Sequence, residues 1–215
     1  MREITVPMNN TIDYGWKNAQ SPHTHTYLSG PIRQLLVEED IDNVIDLGCG
    51  NGDLCARLKP ICNSIVGLEP DKKGYEIAKE NNPNIQFYNV GLQDSAAAIL
   101  NEHRPFQAAV STEVIEHLYT PAELPKFAHK VLEPRGLLIV TTPYHGYFKN
   151  LLLSIFNKWD DHHGPLWNGG HIKFWSRPTL TKLLQDSGFE VVSFKGLGRF
   201  PWVWKSMMLV ARRKE

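Results

Sequence analysis

The stretch Val44-Ile45-Asp46-Leu47-Gly48-Cys49-Gly50-Asn51-Gly52 constrains what this chain can fold into more than any other. Val44, Ile45 and Leu47 make a short apolar run with β-branched residues, the pattern of a buried strand in a parallel sheet. Three glycines alternate directly after it. Glycine takes positive φ without a Cβ clash and lets a ligand approach the main chain. Asp53 to Leu58 then reads as a helix whose free N–H groups face the same turn. A strand, a glycine turn and a helix N-terminus together make a nucleotide-type site.

The turn is GxGxG, not the GxGxxG of dinucleotide sites, and an acid, Asp46, precedes it. A carboxylate at the strand end repels a pyrophosphate and welcomes a cationic amino group. The next apolar run, Ser64 to Leu68, ends in Glu69, about twenty residues past the first glycine, where an acid accepts both ribose hydroxyls of an adenosine. An adenosine ligand with positive charge and no phosphate is S-adenosylmethionine.

With these blocks, and with Val110-Ser111-Thr112-Glu113-Val114-Ile115-Glu116-His117 after a fourth strand, residues 28 to 213 resemble the class I S-adenosylmethionine-dependent methyltransferases. The resemblance implies an α/β fold: a single Rossmann-like, seven-stranded, mostly parallel sheet with helices on both faces and an antiparallel C-terminal strand pair. It implies an arm over residues 1–27 that covers the cofactor, with Tyr14, Trp16 and Tyr27 as walls. The domain over 28–215 then carries a lid insertion at about 145–175. Asp46, Gly48 and Gly50 are expected at the methionine end, Glu69 at the ribose, Leu92 and Asp94 at the adenine, and Thr112 beside them. An N-cap role for Asp94 in a helix from Ser95 to Glu102 is compatible with that.

Composition narrows the partners. Lys plus Arg and Asp plus Glu are both 23, so no basic field favours nucleic acid. Arg212, Arg213 and Lys214 read as a solvated tail. Three cysteines without a metal-type pair fit a reducing compartment, and the expected location is cytoplasmic. No apolar run approaches the length of a membrane span.

Along the chain, Ser29 and Pro31 suggest a helix start, with Ile32, Leu35 and Leu36 as its apolar face. A second helix is expected over Asp71 to Asn81, a third strand over Ile85 to Val90, and a fifth over Gly136 to Thr142. Phe148, Leu151, Leu152, Ile155, Phe156 and Trp159 fall on one helical face. That face reads as a lid over an apolar acceptor in preference to a membrane-surface helix, because Lys149 and Lys158 supply little charge. Ser176 caps a helix ended by Gly188. The aromatic loop Phe200-Pro201-Trp202-Val203 reads as a second wall of the acceptor pocket.

Methyl transfer from a sulfonium is an in-line displacement, and a base is needed only where the acceptor is protonated. On a helix, Glu113 lies one turn from Glu116 and His117. With His171 as a fourth ligand the group suits Mg²⁺, Mn²⁺ or Zn²⁺. This pairing resembles two metal-dependent branches, the ubiquinone-pathway O-methyltransferases and the small-RNA 3′-terminal 2′-O-methyltransferases. In both branches a metal binds two neighbouring acceptor oxygens. Without a metal, His117 or His171 is the expected base, ahead of His23 or His25, and the acids become helix-dipole partners. The expected reaction is O-methylation of a small hydroxylated acceptor, aromatic or lipid-like. The alternatives are N-methylation of a small amine, a non-catalytic cofactor-binding protein and, last, an RNA terminus.

Overall fold

The structure, a computed structural model, describes residues 14–167 and 169–215. Seven strands form one sheet, β1 Asn43–Leu47, β2 Ser64–Leu68, β3 Gln86–Tyr88, β4 Phe106–Thr112, β5 Leu132–Pro143, β6 Phe189–Leu197 and β7 Ser206–Arg213. Their order is β3-β2-β1-β4-β5-β7-β6. The first five pair in parallel, and β7 runs antiparallel to both β5 and β6. The expected architecture is therefore present. β3 is shorter than the expected strand, because Val90 and Gly91 turn away towards the site. β5 is longer, with a register shift that lets Leu132 pair with Phe106 ahead of Gly136.

Alternation along the strands sends side chains to two cores. Ile45, Leu47, Val66, Leu138 and Val140 meet helices α4 Ala97–Leu100, α5 Glu123–Val131 and α8 Arg177–Asp186. Val44, Ile65, Val110, Leu137 and Ile139 meet α1 His25–Glu38, α2 Asp53–Leu58 and α3 Lys72–Asn81. α8 begins on a capping box between Ser176 and Thr179. α3 begins on Asp71, whose carboxylate accepts the N–H groups of Lys73 and Gly74.

Three local expectations are corrected. α1 starts at His25, so Ser29 and Pro31 lie inside it, and the Ser29 hydroxyl donates to the His25 carbonyl. The helix after Asp94 contracts to α4, with Ser95 accepting the Ala97 N–H. The apolar stripe from Phe148 to Trp159 divides into α6 Tyr147–Ile155 and α7 Trp159–His163, broken at Asn157, whose φ is +50°.

Candidate active site

β1 leads to β2 on one side and lies beside β4 on the other, so the crevice at the strand ends is a switch point of the sheet. The glycine turn sits there. Gly48 has φ +84°, and a Cβ on it would come within 2.6 Å of Val114. Gly50 has φ +56°, and the Trp16 indole occupies the space a side chain would need. The N–H groups of Gly48 and Cys49 both donate to the Leu68 carbonyl at 2.9 Å, tying the turn to β2. Glu69, at the end of β2, is 4 % exposed. Its carboxylate accepts the Gly50 N–H at 2.7 Å and the Asp71 N–H at 2.8 Å. Burial nevertheless pushes its pKa up to about 7.

These groups open onto a cavity of about 830 Å³, within the range of small-molecule sites. Gly48, Gly50, Glu69, Leu92, Asp94 and Thr112 all line it. The Asp94 carboxylate accepts the Gly91 N–H at 2.6 Å, closing the loop after β3; it does not cap α4. Tyr14 and Trp16 form a wall, held by a bond from the Tyr14 N–H to Asp71 at 2.9 Å. Residues 1–13 of the expected arm lie outside the described residues.

Two of the residues expected at the cofactor do not line the cavity. Tyr27 belongs to α1, so its hydroxyl meets Ser206 at 3.1 Å and the ring is not part of the cavity wall. Asp46 is 1 % exposed and does not line the cavity either. It accepts a long bond from the Cys55 thiol at 3.3 Å, its other oxygen has no partner, and burial pushes its pKa up to about 7.

The acidic block is also rearranged. Glu113 is not helical: its φ is +54°, and a 3₁₀ turn occupies Ile115–His117. Its carboxylate accepts from the Thr141 hydroxyl at 2.9 Å and the Ser206 hydroxyl at 3.1 Å. Glu116, His117 and His171 do converge, with one ligand-type atom of each within 4.8 Å of the others. The four-residue set is thus corrected to three, because left-handed backbone aims Glu113 at β5 and β7. The Ile172 and Lys173 N–H groups both donate to the Glu116 carbonyl, at 2.9 and 3.0 Å, and this brings the insertion's His171 to the turn.

Each member of the trio is oriented. Thr142 donates to Glu116 Oε2 at 3.0 Å, while Oε1 is buried without a hydrogen-bond partner. His117 Nδ1 lies 3.2 Å from the Gly170 carbonyl, which assigns the proton there and leaves Nε2 with a lone pair, 3.9 Å from Glu116 Oε1. His171 Nδ1 is buried and unpartnered. Burial lowers the pKa of His117 and lowers that of His171 to about 4, so both rings are neutral donors near pH 7. Burial and the neighbouring Glu113 push Glu116 the other way, towards its protonated form.

Of the described residues of the 145–175 insertion, Trp167 and His171 line the cavity, and the stripe of α6 does not. Phe200 and Trp202 also lie off the wall. Trp167 escaped the sequence reading because it stands alone among glycines and prolines, with no periodicity to mark it.

A Rossmann-like sheet with this glycine turn, and with Glu69 bonded to it from the end of β2, defines the class: the fold is that of a methyltransferase domain. Residues 21–194 match the family model described as a methyltransferase domain, and the chain belongs to that family. It is 28% identical over 175 residues to the mitochondrial ubiquinone biosynthesis O-methyltransferase of Rattus norvegicus, covering 75% of this chain and 49% of that one. The chain spans about half the length of the curated relatives it matches. Among solved structures, an S-adenosylmethionine-dependent methyltransferase from Clostridium acetobutylicum superposes with a TM-score of 0.69 at 12% identity, covering 92% of this chain and 94% of that one. Magnesium protoporphyrin IX methyltransferase from Synechocystis, with bound S-adenosylmethionine, gives 0.61 at 15%, covering 86% and 78%. These two likenesses concern the fold.

Proposed function

We propose that this chain methylates one oxygen of a small hydroxylated acceptor, aromatic or lipid-like, and that Glu116, His117 and His171 would hold a divalent cation beside it. The observation that carries this reading is the convergence of one ligand-type atom each from Glu116, His117 and His171, in a site where Glu116 Oε1 and His171 Nδ1 are both buried without a hydrogen-bond partner. A buried polar atom without a partner is costly, and three convergent donors give it a purpose. The His117 Nδ1 contact with the Gly170 carbonyl is the kind of outer contact that fixes a ligating imidazole. Two imidazoles and one carboxylate suit Mn²⁺ or Zn²⁺ better than Mg²⁺, which prefers oxygen donors. The ubiquinone-pathway names of the curated relatives favour the same acceptor class.

A bound divalent cation supplies Lewis acidity, which lowers the pKa of a coordinated hydroxyl. The chain's own groups do the rest. The glycine turn receives the methionine end of the cofactor, Glu69 accepts the ribose hydroxyls with its remaining lone pairs, and Leu92 and Asp94 flank the adenine. Tyr14, Trp16 and Trp167 exclude water from the line of transfer. Thr142 and Gly170 hold Glu116 and His117 so that the acceptor meets a fixed geometry.

One second reading has an observation behind it. His117 Nε2 keeps its lone pair and the ring lines the cavity, so without a metal it serves as general base for a single hydroxyl. Calorimetric titration of Mn²⁺ into protein loaded with S-adenosylhomocysteine separates the two. Saturable binding that His171→Ala weakens supports the metal reading. Absence of binding, with turnover retained on a monohydroxyl acceptor and lost in His117→Ala, transfers the role to the base. Tight cofactor binding with no turnover across hydroxyl and amine panels would leave a non-catalytic cofactor binder.

A further inference from the structure

α6 is mounted with its polar side in. Lys149 is its buried residue, and the Lys149 ammonium donates to the Lys205 carbonyl at 3.2 Å. The apolar stripe consequently faces solvent: Phe148, Leu151, Ile155 and Phe156 are all exposed, the last two at 64 % and 65 %. The loop between β6 and β7 continues the same surface. Phe200 is 82 % and Trp202 63 % exposed, and the Trp202 ring meets Phe148 at 6.4 Å between centroids. An apolar surface of this kind on a folded domain marks an interaction site.

Charge selects the occupant. Residues 144–159 and 191–206 contain no Asp or Glu and carry Lys149, Lys158, Lys195, Arg199 and Lys205. Lys195 and Arg199 are exposed at the base of the aromatic loop. The first acids beyond α6 are Asp160 and Asp161, and Asp161 is paired with Lys158. Aromatic and aliphatic side chains on one surface, with the exposed cations Lys195 and Arg199 in the adjoining segment, are the composition of an element lying in the headgroup boundary of a bilayer. A second copy of the chain fits worse, since a two-fold contact brings together two copies of a face that carries cations and no acid to pair with them. No helix of the described residues is long and apolar enough to cross a membrane, so the contact is peripheral.

We infer that α6 and the β6–β7 loop form a docking face for an anionic lipid bilayer, with Phe148, Leu151, Ile155, Phe156, Phe200 and Trp202 entering the interface and Lys195 and Arg199 meeting the headgroups. The inference is independent of the acceptor and of the metal, since none of these side chains lines the cavity.

Flotation with vesicles of phosphatidylcholine alone, and of phosphatidylcholine mixed with phosphatidylglycerol, tests it on the full chain. The protein is expected to float with the anionic vesicles and to be released by raised salt. Ile155→Glu with Phe156→Glu, or Phe200→Glu with Trp202→Glu, should weaken partitioning about tenfold or more. Val37→Glu, on the exposed side of α1, should leave it unchanged. Lys195→Ala with Arg199→Ala leaves the apolar contacts intact and should lower binding to anionic vesicles, which guards against a folding defect in the other pairs. Failure to float with anionic vesicles, or flotation unaffected by all three pairs, overturns the proposal. So does a concentration-dependent dimer in sedimentation that the same pairs abolish, because the face is then a self-contact.

Discussion

α5 and α6 both carry an apolar stripe at helical spacing, and they use it in opposite directions. α5 turns Leu124, Phe127, Ala128 and Val131 onto the sheet. α6 turns its stripe to solvent and buries Lys149. The difference teaches that periodicity reports the existence of a face and says nothing of which way it points. Direction is decided by partners. For α5 the partner is the strand face of Leu138 and Val140. For α6 it is the Lys205 carbonyl and the nearby Glu113 carboxyl, which together hold an ammonium inside.

The largest effect expected from this contrast is in the core. Phe127→Ala should lower unfolding free energy by roughly 3–5 kcal/mol, since it empties a closed site. Chemical denaturation will show it, and a loss below about 1 kcal/mol would mean that α5 is not anchored as described.

Buried charge gives the next step. Glu69→Gln keeps the shape but removes an anionic acceptor, and should weaken S-adenosylhomocysteine binding by roughly 1.5–3 kcal/mol, about 10- to 150-fold. The pH dependence has a definite sign. With a pKa of about 7 in the free protein, Glu69 loses its anionic acceptor strength on protonation, so affinity should decline as pH falls through 7. Calorimetry across that window should find the decline in the wild type and not in Glu69→Gln. A pH-independent wild type would remove Glu69 from the ribose.

Lys149→Met should cost less, about 1 kcal/mol, because an uncharged chain of similar length replaces a cation that burial already disfavours. Lys149 favours the ionised form of Glu113, a carboxyl that burial raises above its ordinary range. A carboxyl raised on folding loses stability as pH increases from its unfolded towards its folded pKa. Removing Lys149 raises Glu113 further, so the deficit of the variant should widen with rising pH in thermal melts. A deficit that narrows would show that the two groups do not interact.

Phe156→Ala should fall within about 0.5 kcal/mol of wild type, as for any exposed position. A cost like that of Phe127→Ala would place the α6 stripe in a core and break the contrast altogether.

The strand, glycine turn and helix around β1 were readable in advance because each of their parts is local. The glycine turn, the apolar run before it and Glu69 at its spacing are properties of one strand–turn–helix–strand unit. What could not be read depends on residues far apart. Glu113 takes left-handed backbone and meets Ser206, 93 positions away. Tyr27 leaves the cavity for the same Ser206, 179 positions on. His171 reaches Glu116 through two main-chain bonds that no side-chain pattern announces. The orientation of α6 hinges on a carbonyl in the β6–β7 loop.

The position of β7 has a consequence for how the chain assembles. β7 pairs with β5 over seven residues and with β6 over eight, and in the sheet it lies between them. β6 is made first yet finds no neighbour until β7 arrives. During synthesis, then, the apolar flank of β5 stays an open edge, with Leu138, Ile139 and Val140 presented to any other nascent strand. The sheet closes by insertion and not by accretion, and the interval before residues 206–213 emerge is when the chain is most exposed to misassembly.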